Sequence, residues 1–271
     1  MTIAEIHGKL VPYESREDLL TSDVFGTFKY CDPTDGLIPF LGRAISFSSQ
    51  KAPVLSRATK SAKYFFWPKS TTGLEPDLII ILTEDNGRKI ACNIEAKYLS
   101  GKHNRDDDSP NAEQPDRIPG DQLYAQYKVL KDKAYKDELQ RELQGVEQNY
   151  LFYVTAHYVP PCVDIKETMR CAKEKGDEEA VENFFWLNWA EADSVCRAGV
   201  DEGTISTSAL LFEDLSRLLR RKRLREFGLW QDREHNSKIE RVATYFWKGQ
   251  MFWKHLELAV MQSTGPYFWK A

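Results

Sequence analysis

Residues 78–82 read Leu-Ile-Ile-Ile-Leu, an apolar run with no polar alternation, and they are followed by Asn86-Gly87 and then Lys-Ile-Ala-Cys-Asn-Ile. A strand that is apolar on both faces must be covered on both faces, so this stretch needs layers above and below it. Asn-Gly favours the tight turn of a hairpin, which makes 89–99 the returning antiparallel neighbour of 78–85. The pair therefore predicts a sheet covered on both sides, and the order of elements around it, a helix, three strands and then helices alternating with strands, predicts an α/β fold with a mixed central β-sheet flanked by helices.

The rest of the chain supplies the covering elements. Residues 14–30 read as a helix whose inward stripe is Leu20, Val24 and Phe28. Stepping back along that stripe lands on Glu17 and then Glu14, carboxylates in line with buried positions. Asp-Pro-Thr-Asp-Gly after residue 31 breaks the helix. Residues 62–68 form a short aromatic strand, and the three strands are expected to be antiparallel neighbours. Residues 100–120 are polar, carry three prolines and read as a long loop of the kind that often serves as a lid. Asp121 is placed to cap a helix over 122–143 with the stripe Leu123, Tyr127, Leu130 and Ala134, flanked by Gln122 and Gln126. A strand over 150–159, a helix over 163–176, a strand over 183–189 and helices over 207–227 and 237–262 complete the order. The whole reads as one domain over 1–271, with its core at about 14–190 and a C-terminal helical extension from about 205.

At 271 residues with 42% hydrophobic content the chain can bury a sizeable core, and a net charge of -4 argues against a generally polycationic protein. Cys31, Cys92, Cys162, Cys171 and Cys196 are odd in number, scattered and without a C-x-x-C pair, which suits free thiols in the cytoplasm. No histidine spacing suits zinc, the N-terminus shows no leader pattern, and no apolar segment approaches the roughly 20 residues that span a bilayer.

The strand over 89–99 ends in Glu95-Ala96-Lys97, so a carboxylate and an ammonium share one face. The hairpin sets Asp77 beside Glu95 at the same end of the sheet. Two carboxylates with water suit Mg²⁺, and a lysine beside them can handle a water or offset charge on a phosphate. A surface ion pair at a strand end is the plainer account of the same residues.

Pro76-Asp77, seventeen residues and then Glu95-Ala96-Lys97, between two apolar strands and after a helix, resembles the PD-(D/E)XK (restriction-endonuclease-like) nuclease superfamily. The resemblance covers roughly 14–156. It implies an α-β-β-β-α-β core and hydrolysis of phosphodiester bonds with Mg²⁺, which Mn²⁺ can replace. It implies Asp77, Glu95 and the backbone carbonyl of Ala96 as metal ligands, and Lys97 as the residue orienting the attacking water. Glu17, four residues before Thr21, matches a glutamate on the family's first helix, and Gln122 matches a glutamine on the helix after E-x-K. The Gln-x-x-x-Tyr pattern of some exonucleases is not met, since Gln126 stands at that step. DNA is the implied substrate, with RNA also compatible, and an endonuclease of restriction or anti-phage defence is the implied role, alone, as a homo-oligomer or with a defence-system protein.

Three further features bear on that reading. Arg217, Arg220 and Arg221 in the 217–225 basic stretch suit phosphate contact, or else a solvated helix end. Continuing that helix would put Lys222 on the apolar stripe, so it is expected to end near there. Asp106, Asp107 and Asp108 lack an EF-hand's spacing and read as solvated loop, and His103 and His157 carry little weight. Two alternatives remain: a catalytically inactive nuclease-fold module that binds nucleic acid or a protein partner, and a metal-independent α/β domain.

Overall fold

The computed structural model of the chain describes residues 17–48, 51–98, 121–201 and 207–225. The chain divides into two compact units, Met1–Glu226 and Phe227–Ala271, and every described residue belongs to the first. Expectations for Glu14, His103, Asp106, Asp107, Asp108 and the 237–262 helix lie outside the described residues.

In chain order the elements are α1 (Glu17–Lys29), α2 (Leu37–Leu41), β1 (Ile45–Ser46), β2 (Thr59–Phe66), β3 (Leu78–Glu84), β4 (Lys89–Lys97), α3 (Gln122–Lys131), α4 (Asp137–Glu142), β5 (Val146–Thr155), α5 (Cys162–Glu174), α6 (Glu178–Glu182), β6 (Phe184–Asn188), α7 (Ala190–Asp201) and α8 (Thr207–Arg221). The strands form one six-stranded sheet in the order β1-β6-β5-β4-β3-β2. β3 runs antiparallel to both of its neighbours, β2 and β4, while β4, β5 and β6 are parallel and β1 closes the far edge antiparallel to β6.

The hairpin forms where Asn86-Gly87 places it. Glu84 and Arg88 close the turn, the Asn86 Oδ1 accepts the Arg88 N–H at 2.8 Å, and Gly87 takes φ +85°, a region that disfavours any side chain. The apolar run behaves as a strand covered on both faces. Leu78, Ile80 and Leu82 join Ile90, Cys92, Ile94 and Ala96 in the larger cluster, beneath α1, α7 and α8. Ile79 and Ile81 join Ala91 on the other face, beneath α3 and α4. Further along that face Leu151, Tyr153, Phe184 and Trp186 pack with α3, α5 and α6. On α1, Leu20, Val24 and Phe28 are buried as their spacing predicts, and Phe25 adds edge-on contacts with Phe40 and Trp189.

The expected helix over 122–143 is in fact two. Lys133 takes φ +53° at the end of α3, where the Ala134 N–H donates to the Val129 carbonyl and the Lys133 N–H to the Leu130 carbonyl. That is a left-handed helix stop, normally a glycine's place, and it turns Tyr135 into the core. Ala134 therefore falls outside the helix. The same device ends α8: Arg223 has φ +60°, and Leu224 donates back to the Leu219 carbonyl. Lys222 is buried just past that end, as its place on the stripe requires. β5 spans 146–155 rather than 150–159, because its polar start pairs with the beginning of β4 and the segment after Thr155 leaves the sheet. Four more elements, α2, α6, α7 and the two-residue β1, are not expected from the sequence pattern.

Candidate active site

Past the last β3–β4 pair, Leu78 opposite Ile94, the next residues across the ladder are Asp77 and Glu95. Within β4, Ile94 and Ala96 pack into the larger apolar cluster, so Glu95 and Lys97 emerge together on the other face. Glu95 is 2% exposed and Lys97 7%, while Asp77 is half-buried.

Each charged group is tied to named partners. The Ala96 N–H donates to the Asp77 Oδ2 at 2.7 Å. A strand residue sends its N–H and C=O out by the same edge, so the Ala96 carbonyl leaves towards the Asp77 side, beyond the end of the β3 pairing. The Lys97 Nζ lies 3.0 Å from the Glu95 Oε1 and 3.0 Å from the Glu17 Oε1. The second Glu17 oxygen accepts the Tyr98 N–H at 2.9 Å. Glu17 thus faces the cluster, as its place on the α1 stripe suggested. Gln122 donates to the Glu95 Oε1 at 3.0 Å and Gln126 to the Glu95 Oε2 at 2.7 Å, so both amides on one face of α3 serve one carboxylate.

The electrostatics follow from three carboxyl groups around one ammonium. Burial, and then the Glu95 charge beside it, push the Asp77 carboxyl up to about 8, against the pull of the Ala96 N–H and Lys97. Burial alone would lower Lys97, but Glu95 and Glu17 outweigh it and hold the ammonium above its ordinary value. Lys97 is therefore a fixed cation in this arrangement. The cluster still carries an excess of negative charge, a state that an added cation relieves.

Among the described residues, no group of three or more His, Cys, Asp or Glu side chains is arranged as a cage for a metal ion. The residues do fit a hard cation that keeps most of its water: two carboxyls and a main-chain carbonyl at adjacent strand ends, with the Asp77 carboxyl driven towards protonation by burial and then by the Glu95 charge. Asp77 accepts one hydrogen bond among the described residues, which leaves its second oxygen available.

Other residues that sequence singled out sit on α8 and on the loop after β5. Arg217, Arg220 and Arg221 are exposed on α8. Arg217 pairs with Glu213 at 2.6 Å, and Arg220 lies 3.6 Å from the buried Asp193. His157 is exposed on the loop after β5, its backbone N–H bonded to the Thr155 hydroxyl. The five cysteines are free thiols.

Several supporting residues were not anticipated. Gln126 read as a helix flank, yet it is the more deeply buried of the two glutamines. The Trp189 indole donates to the Lys97 carbonyl at 3.1 Å, and the Tyr98 hydroxyl donates to the Lys222 carbonyl at 3.0 Å. The Trp67 N–H donates to the Asp77 carbonyl at 3.0 Å from a strained φ of +47°, which steadies the approach to β3. Asp121 caps α3 through Tyr124 as expected, and it also accepts the Thr168 hydroxyl, tying α3 to α5. For Gln126 a signal existed, its four-residue spacing from Gln122. For Trp189 and Lys222 no local pattern exists.

No protein-family model, no curated protein and no solved structure matches this chain.

Proposed function

We propose that this chain is a metal-dependent nuclease that hydrolyses DNA phosphodiester bonds, with the α-β-β-β-α-β core of the PD-(D/E)XK superfamily. The observation that carries the reading is the meeting of Asp77, Glu95 and Lys97 at adjacent strand ends, with Glu17 brought to Lys97 from α1. The order α1, β2, β3, β4, α3, β5 supports it. The narrower role, an endonuclease of restriction or anti-phage defence, rests on the sequence resemblance.

Asp77, Glu95 and the Ala96 carbonyl are the residues that would hold Mg²⁺ or Mn²⁺, which when bound polarises the phosphate and makes its water more acidic. The protein's own groups do the rest. Lys97, held protonated between two carboxylates, presents its ammonium to the water and to the charge that grows on the phosphate oxygens as the ester bond breaks. Glu17 sets the direction of the Lys97 side chain from one side and Glu95 from the other. Gln122 and Gln126 fix the Glu95 carboxylate plane.

The test is cleavage of DNA with Mg²⁺ or Mn²⁺, compared with Ca²⁺ or EDTA, for wild type, Asp77→Ala, Glu95→Ala and Lys97→Ala. Loss of both metal binding and cleavage in the two carboxylate variants is expected. An active wild type whose Asp77→Ala variant cleaves equally well would place the chemistry elsewhere. A second reading, an inactive nuclease-fold module, draws on the internal satisfaction of both Glu17 and both Glu95 oxygens. It predicts an ionic cluster whose carboxylates stabilise the metal-free fold, the opposite of what the crowding at Asp77 predicts.

A further inference from the structure

Asn93 lies in the middle of β4, fully buried, and among the described residues neither its side-chain nitrogen nor its oxygen meets a hydrogen-bond partner. It sits two residues before Glu95, on the same face of the strand. The sheet register sets it between Ile79 of β3 and Leu151 of β5. Those two neighbours belong to different apolar clusters, so Asn93 occupies a polar seam dividing one face of the sheet.

Gln126 lies on the same seam. It is 1% exposed, its Nε2 is committed to Glu95, and its Oε1 is buried without a partner among the described residues. On α3, Leu123 and Tyr127 pack with the Leu151 cluster, while Ala125, Val129 and Leu130 pack with the Ile79 cluster. The helix runs back along β4, from Gln122 at Glu95 to Val129 and Leu130 in the cluster that holds Ala91. One helical turn advances about 5.4 Å and two strand residues about 6.7 Å. Gln126 therefore stands between the levels of Glu95 and Asn93. Three orphaned polar atoms collect behind the carboxylate that the proposed reaction depends on. Buried amides are rarely left so, and ordered water is what resolves them when polar groups converge.

We propose that Asn93 is a positioning residue for Glu95: internal water bridges its side-chain amide to the Gln126 Oε1. Water donating to that oxygen prevents the Gln126 amide from turning over, which would set oxygen against oxygen at the Glu95 Oε2. The effect on rate rests on the nuclease reading above; the water network does not.

The test uses the full chain with Asn93→Thr and Asn93→Val, two β-branched residues of nearly equal shape that differ by one hydroxyl and both suit a strand. A volume role moves both variants alike, and a polar role separates them. In EDTA, the urea midpoint of Asn93→Thr should stay near wild type and that of Asn93→Val should fall. In the metal-loaded protein, Asn93→Val should lose about tenfold in kcat with KM little changed, the scale of a lost supporting contact, and Asn93→Thr should restore most of it. Equal behaviour of the two variants, or an Asn93→Val more stable than wild type, overturns the proposal. A crystal structure of the metal-free wild type decides it even if neither variant folds: water bonded to Asn93 and to the Gln126 Oε1 supports it, and a dry seam refutes it. An Asp77→Ala variant that cleaves as well as wild type while the Asn93 variants separate in EDTA would sink the nuclease reading at this site and leave the network standing.

Discussion

Asp77→Asn tests the electrostatics of the cluster without any substrate. The substitution keeps a side-chain oxygen for the Ala96 N–H, now 2.7 Å from the Asp77 Oδ2, and removes the charge that faces Glu95. In the metal-free protein burial, and then the Glu95 charge, push the Asp77 carboxyl up to about 8, against an ordinary value of 3.8. Because the folded value is raised, the stability linked to this proton is fully present below about pH 4 and is lost as pH rises through about 8. The displacement sets a ceiling of about 6 kcal/mol, and partial exposure with local relaxation reduces it to about 2–3 kcal/mol in practice. Asparagine does not titrate, so this loss should be absent in the variant. Urea unfolding in EDTA at pH 5, 7 and 8.5 is the measurement. The variant's advantage over wild type should widen with pH across that range. Saturating Mg²⁺ should narrow or reverse it, because binding stabilises only the wild-type fold. A stability difference that is flat with pH, or an asparagine variant less stable at every pH, would refute the argument and favour a structural ionic cluster.

Lys97→Ala should still bind metal but lose about 10²-fold or more in cleavage rate, and without metal it should lose about 3 kcal/mol or more, since Glu17 and Glu95 are then left without their cation; stability equal to wild type in EDTA would contradict the pairing. Gln126→Leu should reduce kcat more than Gln122→Leu, because bulk water can replace the half-buried Gln122 amide, whereas the buried Gln126 supplies the donor to the Glu95 Oε2 and its apolar replacement leaves that oxygen without one; equal losses would show that burial does not matter here. Trp189→Phe keeps the ring in the core and removes one hydrogen bond to the Lys97 carbonyl, so a stability loss of about 1 kcal/mol is expected by urea unfolding. Replacing Arg217, Arg220 and Arg221 by Gln should weaken DNA binding with little base dependence and lower the salt slope by about 0.9 per lost phosphate contact. Arg220→Gln alone should also lower stability, since it removes a cation facing buried Asp193, and an unchanged salt slope in the triple variant would assign these arginines to solubility.

The centre of the sheet and the meeting of its charged ends are legible in the residues alone. An apolar run, an Asn-Gly turn and a returning strand leave one register, and that register sets Asp77 opposite Glu95. Strand alternation then puts Lys97 beside Glu95, and the stripe of Leu20, Val24 and Phe28 carries Glu17 to the same place. These are short-range consequences of backbone periodicity, so they are written in neighbouring residues. What holds the cluster in place depends on contacts between distant elements. Trp189 reaches the Lys97 carbonyl from the end of β6, and Lys222 meets Tyr98 from the end of α8, contacts whose partners lie far apart along the chain. The break at Lys133 likewise overrides a continuous helical pattern, because burying Tyr135 against Ile79 and Ala91 requires a turn that a lysine adopts only at a cost in backbone strain. Asn93 is the sharpest case. In the sequence it is one polar residue in a strand, and it becomes a candidate part of the site because α3 lays a second buried amide along the same seam. Periodicity reports which face of an element is buried, but which partner awaits that face depends on how distant elements pack.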